Sequence, residues 1–139
     1  MSRRKSLVIA SRVKRAIVAH AVRDRPQECC GLLLGDRQGI HFAVPMANIT
    51  ASATRYRVDD AAHLELRRVV RRFAPPLAVA GVYHSHPAGG ALPSPTDLEE
   101  AMYPDWAYLI IGMASRRPVV RAFRIREGAA SEYSIRWGT

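Results

Sequence analysis

Hydrophobic positions along the chain form two kinds of pattern that alternate. Apolar runs of strand length are separated by segments in which apolar residues recur every three or four positions, as on one face of a helix. The first helix is predicted to be capped by Ser11, to end before Pro26, and to bury Val13, Ala16, Ile17, His20 and Ala21. Strands are predicted at 6–10, 28–35, 40–45, 55–58, 77–83, 106–113, 119–126 and 132–137, with a hairpin turn at 36–39.

Two further helices are predicted. One begins at Asp59 or Asp60 and ends before Pro75-Pro76. The other begins at Ser94, which is followed by a proline and by an acidic residue in the first turn. In the longer of the two, one side is apolar and the other basic: Leu66, Val69, Val70 and Phe73 against Arg67, Arg68, Arg71 and Arg72. The pattern predicts one α/β domain spanning residues 1–139, with a sheet and two or three helices.

The two cysteines bear on the compartment in which the protein works. Cys29 and Cys30 are adjacent, so no disulfide framework can be built from them, which favours a reducing compartment. Arg12, Lys14 and Arg15 interrupt the apolar run near the N-terminus too early for a signal peptide, and no apolar stretch is long enough to span a membrane. We expect a soluble cytoplasmic protein with no membrane partner.

The candidate chemistry lies at the end of the predicted strand 77–83. His84 and His86 are two residues apart, so on an extended strand both imidazoles lie on one face. Asp97 follows eleven residues after His86, at the predicted start of a helix, and can supply a third ligand. Two histidines and one carboxylate leave a fourth position for water, which is typical of catalytic rather than structural zinc sites.

These residues fit a longer signature. The chain has Glu28, then His84-Ser85-His86, seven residues, Ser94, two residues and Asp97. This pattern resembles the JAMM metalloproteases, also called MPN+ domains, and the flanking segments 26–35, 81–87 and 93–97 are similar to the small bacterial branch. The similarity covers roughly residues 8 to 137. It implies the JAMM/MPN fold, which is cytidine-deaminase-like, with a mixed central β-sheet flanked by two or three helices.

The resemblance also implies a role for each residue. His84, His86 and Asp97 would bind one Zn²⁺ per chain, Glu28 would act as general base, and Ser94 would donate a hydrogen bond to the oxyanion. Each has a plainer alternative. Glu28 could be a surface carboxylate, Ser94 only a helix cap, and Asp97 only a favourable charge at a helix N-terminus. Cys29 and Cys30 are expected to be buried, inert thiols.

The substrate implied by the resemblance is a peptide or isopeptide bond. Small stand-alone members are similar to enzymes of sulfur-carrier pathways, which release cysteine or a short extension from the C-terminal Gly-Gly of a ubiquitin-like carrier protein. Two alternatives stay open: a deubiquitinase-like isopeptidase acting on ubiquitin-like conjugates, and a non-catalytic zinc module that binds ubiquitin-like proteins or nucleic acid. The resemblance also implies that the chain can form a homodimer.

The chain is strongly basic, with a net charge of +9. Residues 1–25 hold eight basic residues and one acidic residue, and the second helix adds four arginines. These cations are scattered and are not interleaved with aromatic residues, so we expect no specific nucleic-acid complex. A basic surface would instead steer an acidic carrier protein towards the enzyme.

Overall fold

Seven strands and three helices make up most of residues 4–138, the part of the chain that the computed structural model describes. Residues 1–3 and 139, the ends of the predicted domain, lie outside the described residues. Within this range, none of the helices is long and apolar enough to cross a membrane. The helices are α1 (Ser11–Asp24), α2 (Asp60–Phe73) and α3 (Pro95–Glu100), and the strands are β1 (Ser6–Ile9), β2 (Cys30–Asp36), β3 (Gly39–Met46), β4 (Ala78–His86), β5 (Ala107–Gly112), β6 (Val119–Arg126) and β7 (Ala129–Trp137).

The strands of residues 4–138 form one mixed sheet. Its order is β1-β3-β2-β4-β5-β6-β7, and β1 pairs in parallel with both β3 and β7, so the sheet closes on itself. β4 is antiparallel to β2 on one side and parallel to β5 on the other, where the connection runs through α3. β2 and β5 are buried along almost their whole length, as expected for strands with continuous apolar sequence. The predicted α/β class with a mixed sheet is confirmed.

The two faces of the central strands pack into separate hydrophobic clusters. Neighbouring residues alternate between them, because successive side chains of a strand point to opposite faces. Leu33 and Tyr83 lie in the cluster beneath α1, whereas Leu32 and Val82 lie in the cluster that includes Val70 of α2. His84, two residues after Val82, therefore falls on the α2 side of the sheet.

The start of α1 differs from the prediction. Ala10 occupies the N-cap position, and no side chain caps the helix. Ser11 is the first helical residue, and its hydroxyl donates to the carbonyl oxygen of Gly138, so this hydroxyl joins the helix to the C-terminal segment. Val13, Ile17, His20 and Ala21 are buried as predicted, but Ala16 is exposed.

The strand predicted at 55–58 is wrong. These residues lie in the loop between β3 and α2. The side chain of Asn48 binds the backbone carbonyl of Arg55 and the backbone N–H of Arg57, so these groups are already satisfied without a strand ladder. Asp59 caps α2 by accepting from the backbone N–H of Ala62.

The predicted apolar side of α2 is only partly confirmed: Leu66 and Val70 pack on the sheet, whereas Val69 and Phe73 do not. Val70 is buried, but Val69 is 42% and Phe73 is 73% exposed. Arg67, predicted to face solvent, is half-buried, with its guanidinium 5.5 Å from the ring centroid of Trp106. Arg67 thus packs over an aromatic ring at the edge of the apolar side and does not extend into solvent.

Candidate metal centre

His84 and His86 end β4 and direct their imidazoles to one point. Their Nε2 atoms are 3.2 Å apart, and each lies 3.0 Å from Oδ2 of Asp97. His84 is 1% exposed, and burial lowers its pKa. Burial also lowers the pKa of His86, but its hydrogen bonds with Asp97 and Gly90 outweigh burial and raise it. Of the residues that the structure describes, these three form the group whose atoms could hold a metal ion.

Asp97 is brought to the histidines by the first turn of α3. Ser94 is the N-cap residue: its Oγ accepts from the backbone N–H of Asp97 at 3.0 Å, and its own N–H donates to Asp97 Oδ2 at 2.9 Å. This capping box fixes the carboxylate that faces both imidazoles. Burial pushes the pKa of Asp97 up, but the hydrogen bonds with His84 and His86 outweigh it and hold that pKa well below its usual range.

The orientation of His86 is set by the loop that follows β4. Its Nδ1 lies 2.8 Å from the carbonyl oxygen of Gly90 and donates to it, which turns Nε2 towards Asp97. The loop can come this close because Gly112, the partner of His86 on β5, has no side chain. A Cβ there would lie 2.4 Å from the backbone nitrogen of Ala91.

Glu28 is buried beside this cluster. It is 4% exposed, and its Oε1 has no hydrogen-bond partner among residues 4–138. Burial raises its pKa to about 7, the charge of His86 opposes that rise, and the charge of Asp97 adds to it. The plainer interpretation of Glu28 as a surface carboxylate is therefore wrong.

The β2–β4 pairing places Glu28 opposite the histidines. The regular ladder between these strands ends at the pair Cys30 and His84. One step beyond, Ser85 N–H donates to the Cys29 carbonyl at 3.1 Å, and Cys29 N–H donates to the Ser85 hydroxyl at 2.9 Å. The hydroxyl thus satisfies a buried backbone N–H and extends the pairing to the residue next to Glu28.

Three residues near the cluster were not predicted from the sequence. Ser85 holds Cys29, Asn48 donates to the Glu28 carbonyl at 3.0 Å, and the ring of Tyr56 stacks on His84 with centroids 4.2 Å apart. The position of Ser85 between the two histidines was a signal for its importance. Asn48 and Tyr56 carry no such signal, because both act from a long loop.

The cysteines behave as expected. Cys29 and Cys30 are free and buried, and burial raises the pKa of their thiols to about 11 and about 12 respectively. Thiols of this kind stay protonated at neutral pH and are poor nucleophiles and poor metal ligands.

Comparisons with known proteins agree with this fold. Residues 10–126 match the family of prokaryotic homologues of the JAB domain. A CysO-cysteine peptidase of Mycobacterium tuberculosis is 40% identical over 134 residues, which cover 93% of this chain and 89% of the relative. A probable TtuB-protein conjugate cleaving protease of Thermus thermophilus is 38% identical over 111 residues, covering 79% of this chain and 70% of the relative.

A solved structure supports the same grouping. The solution structure of a protein from Desulfitobacterium hafniense superposes with a TM-score of 0.83 at 30% identity, covering 95% of this chain and 92% of that one. Family match, relatives and fold agree over nearly the whole chain. The chain therefore belongs to the prokaryotic JAB domain family of JAMM-type metallopeptidases.

Proposed function

We propose that this chain is a single-domain zinc peptidase that hydrolyses the bond after the C-terminal Gly-Gly of a ubiquitin-like sulfur-carrier protein, releasing cysteine or a short extension. The observation that carries the proposal is the convergence of His84, His86 and Asp97 beside the buried carboxyl of Glu28. The name of the Mycobacterium tuberculosis relative supports a carrier–cysteine substrate.

The residues present fit a zinc ion. Two imidazole nitrogens and one carboxylate oxygen are the donors of many catalytic zinc sites. The bond from His86 Nδ1 to Gly90 leaves Nε2 free as a ligand, and the capping box holds Asp97 Oδ2 in place. We therefore assign His84, His86 and Asp97 as the ligands of one Zn²⁺. When bound, Zn²⁺ supplies a Lewis acid and lowers the pKa of a water molecule.

Glu28 is assigned the proton transfers. A carboxyl whose pKa lies near 7 can accept a proton from the attacking water and later pass it to the leaving amine at neutral pH. Its unpartnered Oε1 is not committed to any other group of the described residues, so it is available for this exchange.

Ser94 is assigned the oxyanion contact in addition to its role as a cap. As a cap, its Oγ accepts a hydrogen bond from Asp97, which uses a lone pair and leaves the hydroxyl proton free. The two roles therefore do not compete. The free proton can be donated to the oxygen on which negative charge develops during hydrolysis.

Intact mass spectrometry of a ubiquitin-like carrier that carries one cysteine after its Gly-Gly end tests the proposal. We expect the protein to remove that cysteine, a chelator to stop the loss, and added Zn²⁺ to restore it. Glu28→Gln should bind zinc as wild type does and leave the carrier mass unchanged. An intact carrier after incubation with zinc-loaded wild type would refute the proposed function. Full activity in Glu28→Gln would refute the role of Glu28.

A second candidate is an isopeptidase, which the name of the Thermus thermophilus relative favours because it refers to protein conjugates. The same assay with the carrier joined to a lysine side chain distinguishes the two activities. Faster loss from the lysine conjugate than from the cysteine adduct would favour the isopeptidase. A non-catalytic zinc module would bind zinc and cleave neither substrate.

The buried free thiols support a cytoplasmic setting for this activity. Cys29 and Cys30 are free and buried, which agrees with the reducing conditions of the cytoplasm.

A further inference from the structure

Asn48 makes more side-chain hydrogen bonds than its place in a loop would suggest. It lies just after β3, and its Nδ2 donates to the carbonyl oxygen of Glu28 at 3.0 Å and to that of Arg55 at 2.9 Å. Its Oδ1 accepts from the backbone N–H groups of Thr50 at 3.1 Å and Arg57 at 3.0 Å, and from the Thr50 hydroxyl at 2.7 Å. Both N–H donors of the amide are used.

The contacts to Arg55 and Arg57 hold the backbone on each side of Tyr56. The ring of Tyr56 lies nearly parallel to the imidazole of His84, at an interplanar angle of 18° and a centroid distance of 4.2 Å. Nδ1 of His84 has no hydrogen-bond partner in residues 4–138, so the imidazole is held by its Nε2 contact with Asp97 and by this stacking.

The same loop holds the backbone of Glu28. Glu28 precedes β2, so the strand ladder does not fix it. Its N–H donates to the carbonyl oxygen of Ser52 at 2.8 Å, and its carbonyl accepts from Asn48. Both backbone polar groups of Glu28 are thus bound by the loop 48–57.

We propose that Asn48 is a positioning residue for the reaction: by fixing the loop 48–57, it holds Tyr56 against His84 and aims the carboxyl of Glu28 at the His84–His86–Asp97 cluster. This inference rests on the proposed function and extends it to a residue that touches neither metal nor substrate. Groups that orient metal ligands commonly contribute about 10- to 100-fold to metal affinity or activity, and a misplacement of about 1 Å can slow a reaction about 100-fold.

Asn48→Ala tests the proposal, with Ser52→Ala as the matched control. The control removes a hydroxyl that, among residues 4–138, bonds only to Thr54, and it leaves the Ser52 carbonyl in place. Zinc affinity is measured by competition with a chromophoric chelator, and kcat and KM are measured on the extended carrier. For Asn48→Ala we expect zinc affinity about 10-fold lower and kcat about 10- to 100-fold lower, with KM changed less than about twofold. Ser52→Ala should match wild type in all three.

Asn48→Asp keeps the test decisive if Asn48→Ala does not fold. Its carboxylate can still accept the three bonds that shape the loop, but it cannot donate to Glu28 or Arg55, so kcat should fall in a folded protein. The inference would be overturned if every folded Asn48 variant had the same zinc affinity and the same kcat as Ser52→Ala. If wild type cleaves no carrier, the proposed function fails, while the zinc affinities still decide the role of Asn48.

Discussion

Glu28 is held in surroundings that disfavour its charged form. Its pKa is about 7 in the folded protein, against 4.5 for an ordinary glutamate. Between these two values the folded protein retains a proton that the unfolded chain has released. The free energy of unfolding of the metal-free protein must therefore fall as pH rises through this window.

We predict that Glu28→Gln stabilises the metal-free protein even though it removes activity. The gain should be about 3 kcal/mol near pH 8, where wild type must hold a buried carboxylate, and below about 0.5 kcal/mol near pH 4, where Glu28 is mostly protonated in both states. Urea unfolding in the presence of a chelator, at the two pH values, measures this gain in the free energy of unfolding. Equal midpoints for wild type and variant at both pH values would contradict the prediction.

Among individual residues, the sequence predicted those whose spacing is fixed by their shared role as metal ligands. His84 and His86 share a strand face at any register, and Asp97 lies at a helix start marked by Ser94 and Pro95. Asn48 and Tyr56 could not be predicted, because their contacts depend on how the loop before α2 folds over Glu28 and His84. No hydrophobic periodicity in the sequence predicts the path of this loop.

Among the elements, α3 combines two functions in its first turn, and they can be separated. We predict that Ser94→Gly lowers kcat/KM about 100-fold, because it removes the hydroxyl proton assigned to the oxyanion. Glycine is a tolerable N-cap residue, so the loss of stability should be only a few tenths of a kcal/mol. The Ser94 backbone N–H still binds Asp97 in this variant.

Steady-state kinetics with the extended carrier measure the loss of kcat/KM in Ser94→Gly, and thermal unfolding measures its loss of stability. Ser94→Thr is the matched control, since it keeps both the cap and the hydroxyl, and it should retain most of the activity. Wild-type kcat/KM in Ser94→Gly would mean that Ser94 is only a cap.

Elements whose stability comes from their own apolar pattern were predicted well. The strand and helix order agrees with the sequence, mostly within one or two residues at each end, although β4 ends three residues later, at His86, and β7 begins three residues earlier, at Ala129. The predictions that were wrong concern segments whose conformation depends on side-chain contacts with residues distant in sequence. Residues 55–58 are held as a loop by Asn48, and Arg67 of α2 packs on Trp106, which no helical periodicity predicts.

For the whole molecule, the closed sheet separates two ends with different surroundings. β4 and β5 run in parallel and reach the metal-ligand end together, where His86 pairs with Gly112. The exposed turn that follows β5 carries Arg116 and Arg117 at this end. The β2–β3 turn, with exposed Arg37, lies at the other end, because Gly35 pairs with Ala78 at the start of β4.

With a net charge of +9, this arrangement predicts that the rate of association with an acidic carrier depends on salt. We predict that kcat/KM falls about 10-fold between about 20 mM and about 300 mM NaCl while kcat stays constant, since salt screens encounter but not chemistry. A short peptide ending in the same Gly-Gly-Cys, which lacks the acidic surface, should show a flat profile. Arg116→Glu should lower kcat/KM for the carrier at low salt more than Arg37→Glu, which changes the net charge equally, because only Arg116 lies at the metal-ligand end. Equal effects of the two reversals would locate the steering charge elsewhere, and a flat salt profile for the carrier would mean that the basic surface does not recruit it.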